Sequence, residues 1–213
     1  MATFMENVRN FFAGDDANDR EGLQALFVDE LKGIYYTEKQ LLDALQEQAD
    51  TATTEEVRSA FIQHKQETQG QIQRLEQIFQ HLGLDPDEGT CNALDGLVDD
   101  ARTVIARTND NSLTRDAALI IAGQKVEHHE IAAYGSLHTL AQVLGYSQSA
   151  TLLEQSLEEE KATDRKLTQL AESFVNERAA HESDQDDDRG TTSGGYVAPT
   201  YSNDPRLGGL TGV

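Results

Sequence analysis

Apolar residues return every three or four positions along most of this chain. From Gln24 to Ala49 the series Phe27, Leu31, Ile34, Leu41, Leu45 marks one helix face, and from Glu55 to Leu82 the series Val57, Phe61, Ile72, Leu75, Phe79 marks another. Thr53 or Thr54 is placed to cap the second helix and Gly83 to end it. The connection between them is short, so the two pair as an antiparallel hairpin. After the break GLDPDEGT comes a lesser amphipathic stretch (Leu94, Leu97, Val98, Ala101, Val104, Ile105) and a polar TNDNS. A third long helix is then expected from about Leu113 to Leu144 and a fourth from about Ser147 to Arg178. Proline occurs only at 86, 199 and 205, so long helices run unobstructed. No segment alternates at period two, and no sheet is expected. Two hairpins joined by a helical crossover predict an all-α four-helix bundle of the crossover type.

The bundle occupies residues 21–180 in this reading. Residues 1–20 form an N-terminal segment whose Phe4, Met5, Val8, Phe11 and Phe12 suit a short docking helix. Residues 181–213 form a tail in which SDQDDDRGTTSGG is too poor in apolar side chains to order itself. At 213 residues the chain is long enough for one packed core and does not require a second.

The two halves repeat one another. Ile34, Glu38, Leu45, Phe61, Glu67 and Leu75 fall, on adding 92, onto Val126, Glu130, Leu137, Leu153, Glu159 and Leu167. The repeat includes acids on the face that should be apolar. In the first helix the core phase runs Phe27, Leu31, Ile34, Glu38, Leu41, Leu45; in the third it runs Leu119, Gly123, Val126, Glu130, Ala133, Leu137. Glu127 stands one turn before Glu130. The second helix runs Val57, Phe61, His64, Thr68, Leu75, with Glu67 three residues after His64. The fourth runs Leu153, Leu157, Glu160, Asp164, Leu167; its periodicity turns Glu160 inward, whereas the repeat favours Glu159 as the partner of Glu67. A buried carboxylate needs a cation. Taken singly, Glu127, Glu160 or Asp164 fits a solvent edge and His64 a hydrogen-bonded core position, but acids in register on all four helices point to a shared metal site.

Four carboxylates, Glu38, Glu67, Glu130 and Glu159 or Glu160, balance two divalent ions, with His64 and Glu127 completing the shell. Such oxygen-rich ligands with one imidazole suit iron, or manganese, better than copper or a structural zinc. His128 and His129 cannot both face inward beside Glu127, since consecutive helical residues point about 100° apart. His81 and His138 have no acidic partner at ligand spacing and read as structural. Tyr134, seven residues after Glu127, reads as a packing residue within reach of the site as a donor. The single Cys91 excludes an intramolecular disulfide and reads as a small buried hydrophobe.

Net charge sharpens the picture. With 17 Lys and Arg against 38 Asp and Glu, a net −21 and a pI near 4.4 argue against nucleic acid or an anionic membrane as partner. The balance is also what a chain kept soluble at high salt would carry. The first twenty residues lack a secretory signal and no apolar run approaches a membrane span, so a cytoplasmic location is expected.

The blocks LFVDELKGIYYTEKQLLDAL, FIQHKQETQGQIQRLEQIF, AALIIAGQKVEHHEIAAYGSL and LEEEKATDRKLTQLAE resemble the YciE/YciF-type ferritin-like family over residues 21 to 175. The resemblance implies a ferritin-like bundle, a di-metal site, a homodimer and a link to stress responses in bacteria and archaea. The wider di-iron superfamily uses Glu-x-x-His on two helices. Here Gly70 and Ala162 stand three after Glu67 and Glu159, and the second helix reads His64-x-x-Glu67 instead. Glu127-x-x-Glu130 resembles the extra carboxylate of rubrerythrin-like sites. The terminal DPRLGGLTGV, residues 204–213, is similar to peptides by which ferritin-like cargo docks inside encapsulin shells. The expected function is oxidation of ferrous iron by oxygen or peroxide in stress protection. The rivals are a non-catalytic helical stress or interaction protein with a structural or vestigial ion, and dimanganese catalase-like chemistry. No catalytic acid or base can be named.

Overall fold

The computed structural model describes residues 22–187, with side chains through residue 182. The expected N-terminal docking helix, and the tail from residue 188 with its docking peptide 204–213, lie outside the described residues. Helix α1 spans Leu23–Thr51 and α2 spans Glu55–Leu82. The crossover carries α3, Asn92–Ala106, and the second hairpin is α4, Leu113–Val143, with α5, Ser147–Leu170. One π-helical turn, Ala171–Val175, leads into α6, Asn176–Asp187. No strand occurs among the described residues, and none of their helices is long and apolar enough to cross a membrane.

Local chemistry sets these limits. Thr54 caps α2 by accepting from Val57 N at 3.4 Å, and Gly83, at φ +73°, closes it with a Leu84 N to Phe79 O bond of 2.9 Å. The Asp116 carboxylate of α4 accepts from Thr53 N at 2.7 Å and Thr54 N at 2.9 Å, tying the α1–α2 corner to the start of the second hairpin. The crossover is pinned at its beginning. Gly89 N donates to Lys32 O at 3.0 Å, and a Cβ on Gly89 would stand 3.1 Å from the Lys32 backbone carbon, so only glycine fits without displacement.

Helix α1 packs on α2 and α4, and α5 packs on α4 and α2. Contacts of Gln63 with Lys166 and Arg74 with Ser156 show that α2 and α5 run antiparallel, and Phe27 with Tyr146, just past the end of α4, together with Glu38 and Tyr134 show the same of α1 and α4. Helix α3 lies against α4, and α6 against its first turns, where Glu182 accepts from Leu113 N at 2.7 Å. Covered on so many sides, α4 is apolar around much of its circumference. The Glu182 contact also accounts for a helix that continues to Asp187, past the composition change at His181.

The core is divided. One apolar cluster gathers Phe27, Leu31, Ile34, Leu75, Phe79, Leu137 and Leu153; the other gathers Leu41, Leu45, Val57, Phe61, Leu119, Val126 and Leu167. Between them every long helix contributes buried polar side chains.

Candidate metal centre

The polar layer is built by register. Glu38 lies between Ile34 and Leu41 on α1, His64 between Phe61 and Leu75 on α2, Glu127 and Glu130 between Val126 and Leu137 on α4, and Glu160 between Leu153 and Leu167 on α5. Glu38 is flanked by apolar turns, whereas His64 is followed by buried Thr68 and Gln71 and Glu160 is flanked by buried Ser156 and Thr163, so the layer is deeper on α2 and α5. Glu38, Glu130 and Glu160 have no exposed surface, and His64 and Glu127 are 1 % exposed.

One ligand atom each from His64, Glu127, Glu130 and Glu160 lies within 4.8 Å of all the others. His64 Nδ1 stands 3.1 Å from Glu127 Oε1, and Nε2 stands 3.3 Å from Glu160 Oε2. Neither contact has hydrogen-bond geometry, and both ring nitrogens are otherwise without a partner. Neutral donors hold the outer oxygens. The Tyr134 hydroxyl donates to Glu38 Oε1, and the Gln71 amide donates to Glu160 Oε1. The remaining Glu38 Oε2, Glu160 Oε2, Glu127 Oε2 and both oxygens of Glu130 are buried and make no hydrogen bond. Such groups are costly to bury unless something satisfies them. Convergent acceptors with so few donors fit a metal cation, which takes oxygen and nitrogen lone pairs without needing protons.

The electrostatics agree. Burial, with the Glu160 charge added, pushes Glu38 well above the usual carboxylate range, and burial with Glu160 and Glu38 does the same to Glu130. Glu127 is raised to about 8, chiefly by burial, against the pull of His64. Burial opposes a charged His64, yet Glu127 and Glu160 raise its pKa well above the ordinary value. Tyr134 is raised by burial and then by Glu38. Without a cation, the layer therefore retains protons.

Glu67 and Glu159 are not brought into this cluster. Glu67 is half-buried, accepting from Thr163 Oγ1 at 3.1 Å and Gln63 Nε2 at 2.8 Å; Glu159, 34 % exposed, pairs with Arg74. The reason is angular. At 100° per residue Glu67 lies about 80° from the mean core direction of α2, and Glu159 is displaced by about the same on α5. The 92-residue repeat relates them truly, but it relates two flank positions at the α2–α5 seam. Glu160, the residue favoured by periodicity, is the buried one.

Outside the layer, His128 is exposed, with Nε2 3.3 Å from the Asp164 carboxylate. His129 is half-buried with its pKa lowered by burial, and lies 3.3 Å from the Cys91 sulfur. Cys91 is thus partly exposed at the N-cap of α3, instead of a fully buried hydrophobe, because the crossover enters over a cleft at that point. His138 bonds Ala150 O at 2.9 Å, and His81 is exposed in the last turn of α2. Gln71 was hidden from sequence reading, because a neutral amide on a helix reads as surface. Its signal was spacing, seven residues after His64.

Residues 22–180 match the family described as "Domain of unknown function (DUF892)". Protein YciF of Escherichia coli K12 is 47% identical over 158 residues, which cover 74% of this chain and 95% of that protein. The solved structure of the E. coli stress protein YciF is similar at TM-score 0.69 and 44% identity, covering 73% of this chain and 98% of the other. YcfI from Rhodopseudomonas palustris is similar at TM-score 0.69 and 37% identity, over 72% and 97%. With its all-helical bundle and buried His/Glu layer, the chain belongs to this family, the YciE/YciF-type ferritin-like proteins.

Proposed function

We propose that the polar layer binds two divalent ions, iron by preference or manganese, and that it oxidises ferrous iron with dioxygen or peroxide in stress protection. The observation that carries this reading is the convergence of four shielded carboxylates and one imidazole from four helices, with five carboxylate oxygens left without hydrogen bonds. Glu38, Glu127, Glu130 and Glu160 supply four negative charges, which two divalent ions neutralise. The likeness to an E. coli stress protein supports the physiological role.

Glu38, His64, Glu127, Glu130 and Glu160 would hold the pair of ferrous ions, which would supply two electrons that, with two protons, would reduce one peroxide to two waters or one dioxygen to peroxide. The chain's part is to hold and exclude. Tyr134 and Gln71 orient two of the carboxylates, His64 sets one nitrogen donor, and the apolar clusters on either side keep bulk water from the layer.

The test is oxidation of ferrous iron. The metal-free full chain is loaded with ferrous ion without oxygen, then mixed with dioxygen or peroxide while ferric absorbance is followed. Oxidation faster than that of free iron, lost in Glu130→Ala, is the expected result. Full occupancy with no acceleration would assign the ions a structural role, and peroxide disproportionation by manganese-loaded protein would point to catalase-like chemistry instead.

A further inference from the structure

We infer that Thr68 and Gln71 on α2 form a binding pair for hydrogen peroxide, and that the Thr68 hydroxyl makes the layer select peroxide over dioxygen. This deepens the ferrous-oxidation reading above and rests on it. His64, Thr68 and Gln71 follow one another by four and three residues, so they form one stripe along α2. Both ends of the stripe reach the same carboxylate: His64 Nε2 stands 3.3 Å from Glu160 Oε2, and the Gln71 amide donates to Glu160 Oε1. Thr68 lies between them and has no exposed surface.

Other hydroxyls along the α2–α5 seam are engaged. Thr163 donates to Glu67 Oε2 at 3.1 Å, and Ser156 accepts from Arg74 Nε at 3.1 Å. The Thr68 hydroxyl has no partner, not even the carbonyl one turn back that a helical threonine commonly uses, and Gln71 Oε1 is likewise buried and free. Cations that satisfy the carboxylates leave this pair unexplained. A metal ion takes lone pairs and cannot accept the hydroxyl proton of Thr68, which needs an acceptor, and no carboxylate of the layer bonds it. A small molecule that both accepts and donates meets the two needs together: hydrogen peroxide accepts from Thr68 and donates to Gln71 Oε1. Dioxygen carries no proton and accepts poorly, so it gains little at either group. Water shares the chemistry of peroxide and is the competitor that peroxide must displace. Once peroxide is held, its O–O bond breaks and its two oxygens leave as two waters, on uptake of two protons and of two electrons from two ferrous ions.

The full chain loaded with zinc, which has no electrons to give, separates binding from turnover. Hydrogen peroxide titrated into it should shift the Gln71 side-chain amide resonance saturably. Thr68→Val keeps the shape and removes the hydroxyl; it should weaken that binding by about five- to tenfold with zinc content unchanged, and Thr68→Ser should restore it. In the ferrous-loaded chain, acceleration over free iron should be at least about tenfold greater with peroxide than with dioxygen, and Thr68→Val should narrow that ratio to about threefold or less. Absence of a saturable shift in the unaltered chain, an oxidant ratio that Thr68→Val leaves unchanged, or loss of zinc from Thr68→Val would overturn the inference while leaving the ferrous-oxidation reading standing. A metal-loaded chain that accelerates oxidation by neither oxidant would overturn both.

Discussion

The two hairpins share a register and differ in chemistry. Glu38 of the first and Glu130 of the second are related by the repeat and both enter the polar layer. In three of the other positions a charged or imidazole group in one hairpin corresponds to a neutral residue in the other, His64 to Ser156, Thr68 to Glu160 and Tyr35 to Glu127, while Gln71 corresponds to the equally neutral Thr163. The first hairpin therefore brings one carboxylate and the imidazole, the second brings three carboxylates. Repetition preserved the direction in which each helix faces and left the donor at each point free to change. The result is a lopsided layer that stays within the charge two divalent ions can neutralise.

Removing the shared carboxylate should have the largest effect. Glu130→Gln is expected to lower metal content from two ions per chain to near zero by elemental analysis, because both of its carboxylate oxygens are buried in the layer and free of hydrogen bonds. The same variant should leave the metal-free protein no less stable, since a buried acid has been replaced by a neutral isostere. Making the hairpins alike should be almost as severe. Thr68→Glu restores the match with Glu160 but adds a fifth carboxylate at a fully buried point; we expect a loss of about 3–5 kcal/mol in chemical denaturation of the metal-free chain.

Acidity separates the metal-free and loaded states. Glu38, Glu127 and Glu130 have folded pKa values above those of an unfolded chain, with Glu127 at about 8, so the unfolded state releases their protons first as pH rises. His64 is raised too; its contribution is present below the unfolded value near 6.5 and is lost as pH climbs through the folded one. Both signs agree. Thermal stability of the chelated protein should fall from about pH 5 to about pH 8, while metal affinity rises over that window because carboxylates must deprotonate to bind. The melting-temperature gap between loaded and metal-free protein should therefore widen with pH, and a constant gap would contradict the reading.

Smaller changes probe packing. Gly123 of the second hairpin stands where the first has Leu31, and a Cβ there would meet Leu167 at 3.2 Å and Phe61 at 3.3 Å. Gly123→Ala should cost about 1–3 kcal/mol of stability by crowding the cluster beside the layer. The mildest effect is expected at the seam. Glu159→Ala should change stability by no more than about 1 kcal/mol and leave metal content untouched, in contrast to Glu160→Ala one residue along.

That last contrast shows what the sequence could and could not convey. Periods of three and four, Thr54, Gly83 and the break around Pro86 made the hairpins and the crossover legible, because each is a local backbone property. Glu38, His64, Glu127 and Glu130 were legible because charge sat in the apolar phase. Glu67 and Glu159 lie at the flank of the layer, a placement the repeat could not convey, because an internal repeat reports equivalence and says nothing of burial, which only the angle to the core decides. Gln71 and the extension of α6 to Asp187 were illegible for another reason: both depend on partners 89 and 69 residues away, the Gln71 amide on Glu160 and Glu182 on the start of α4.

The central claim is that cations compensate the buried carboxylates, and the most direct measurement is the metal content of the full chain purified from its own host. The account predicts two divalent ions per chain, iron or manganese, removed by chelation with a fall in melting temperature at pH 7. A chain that carries no metal, accepts none on addition, and melts at the same temperature with or without chelator would contradict it.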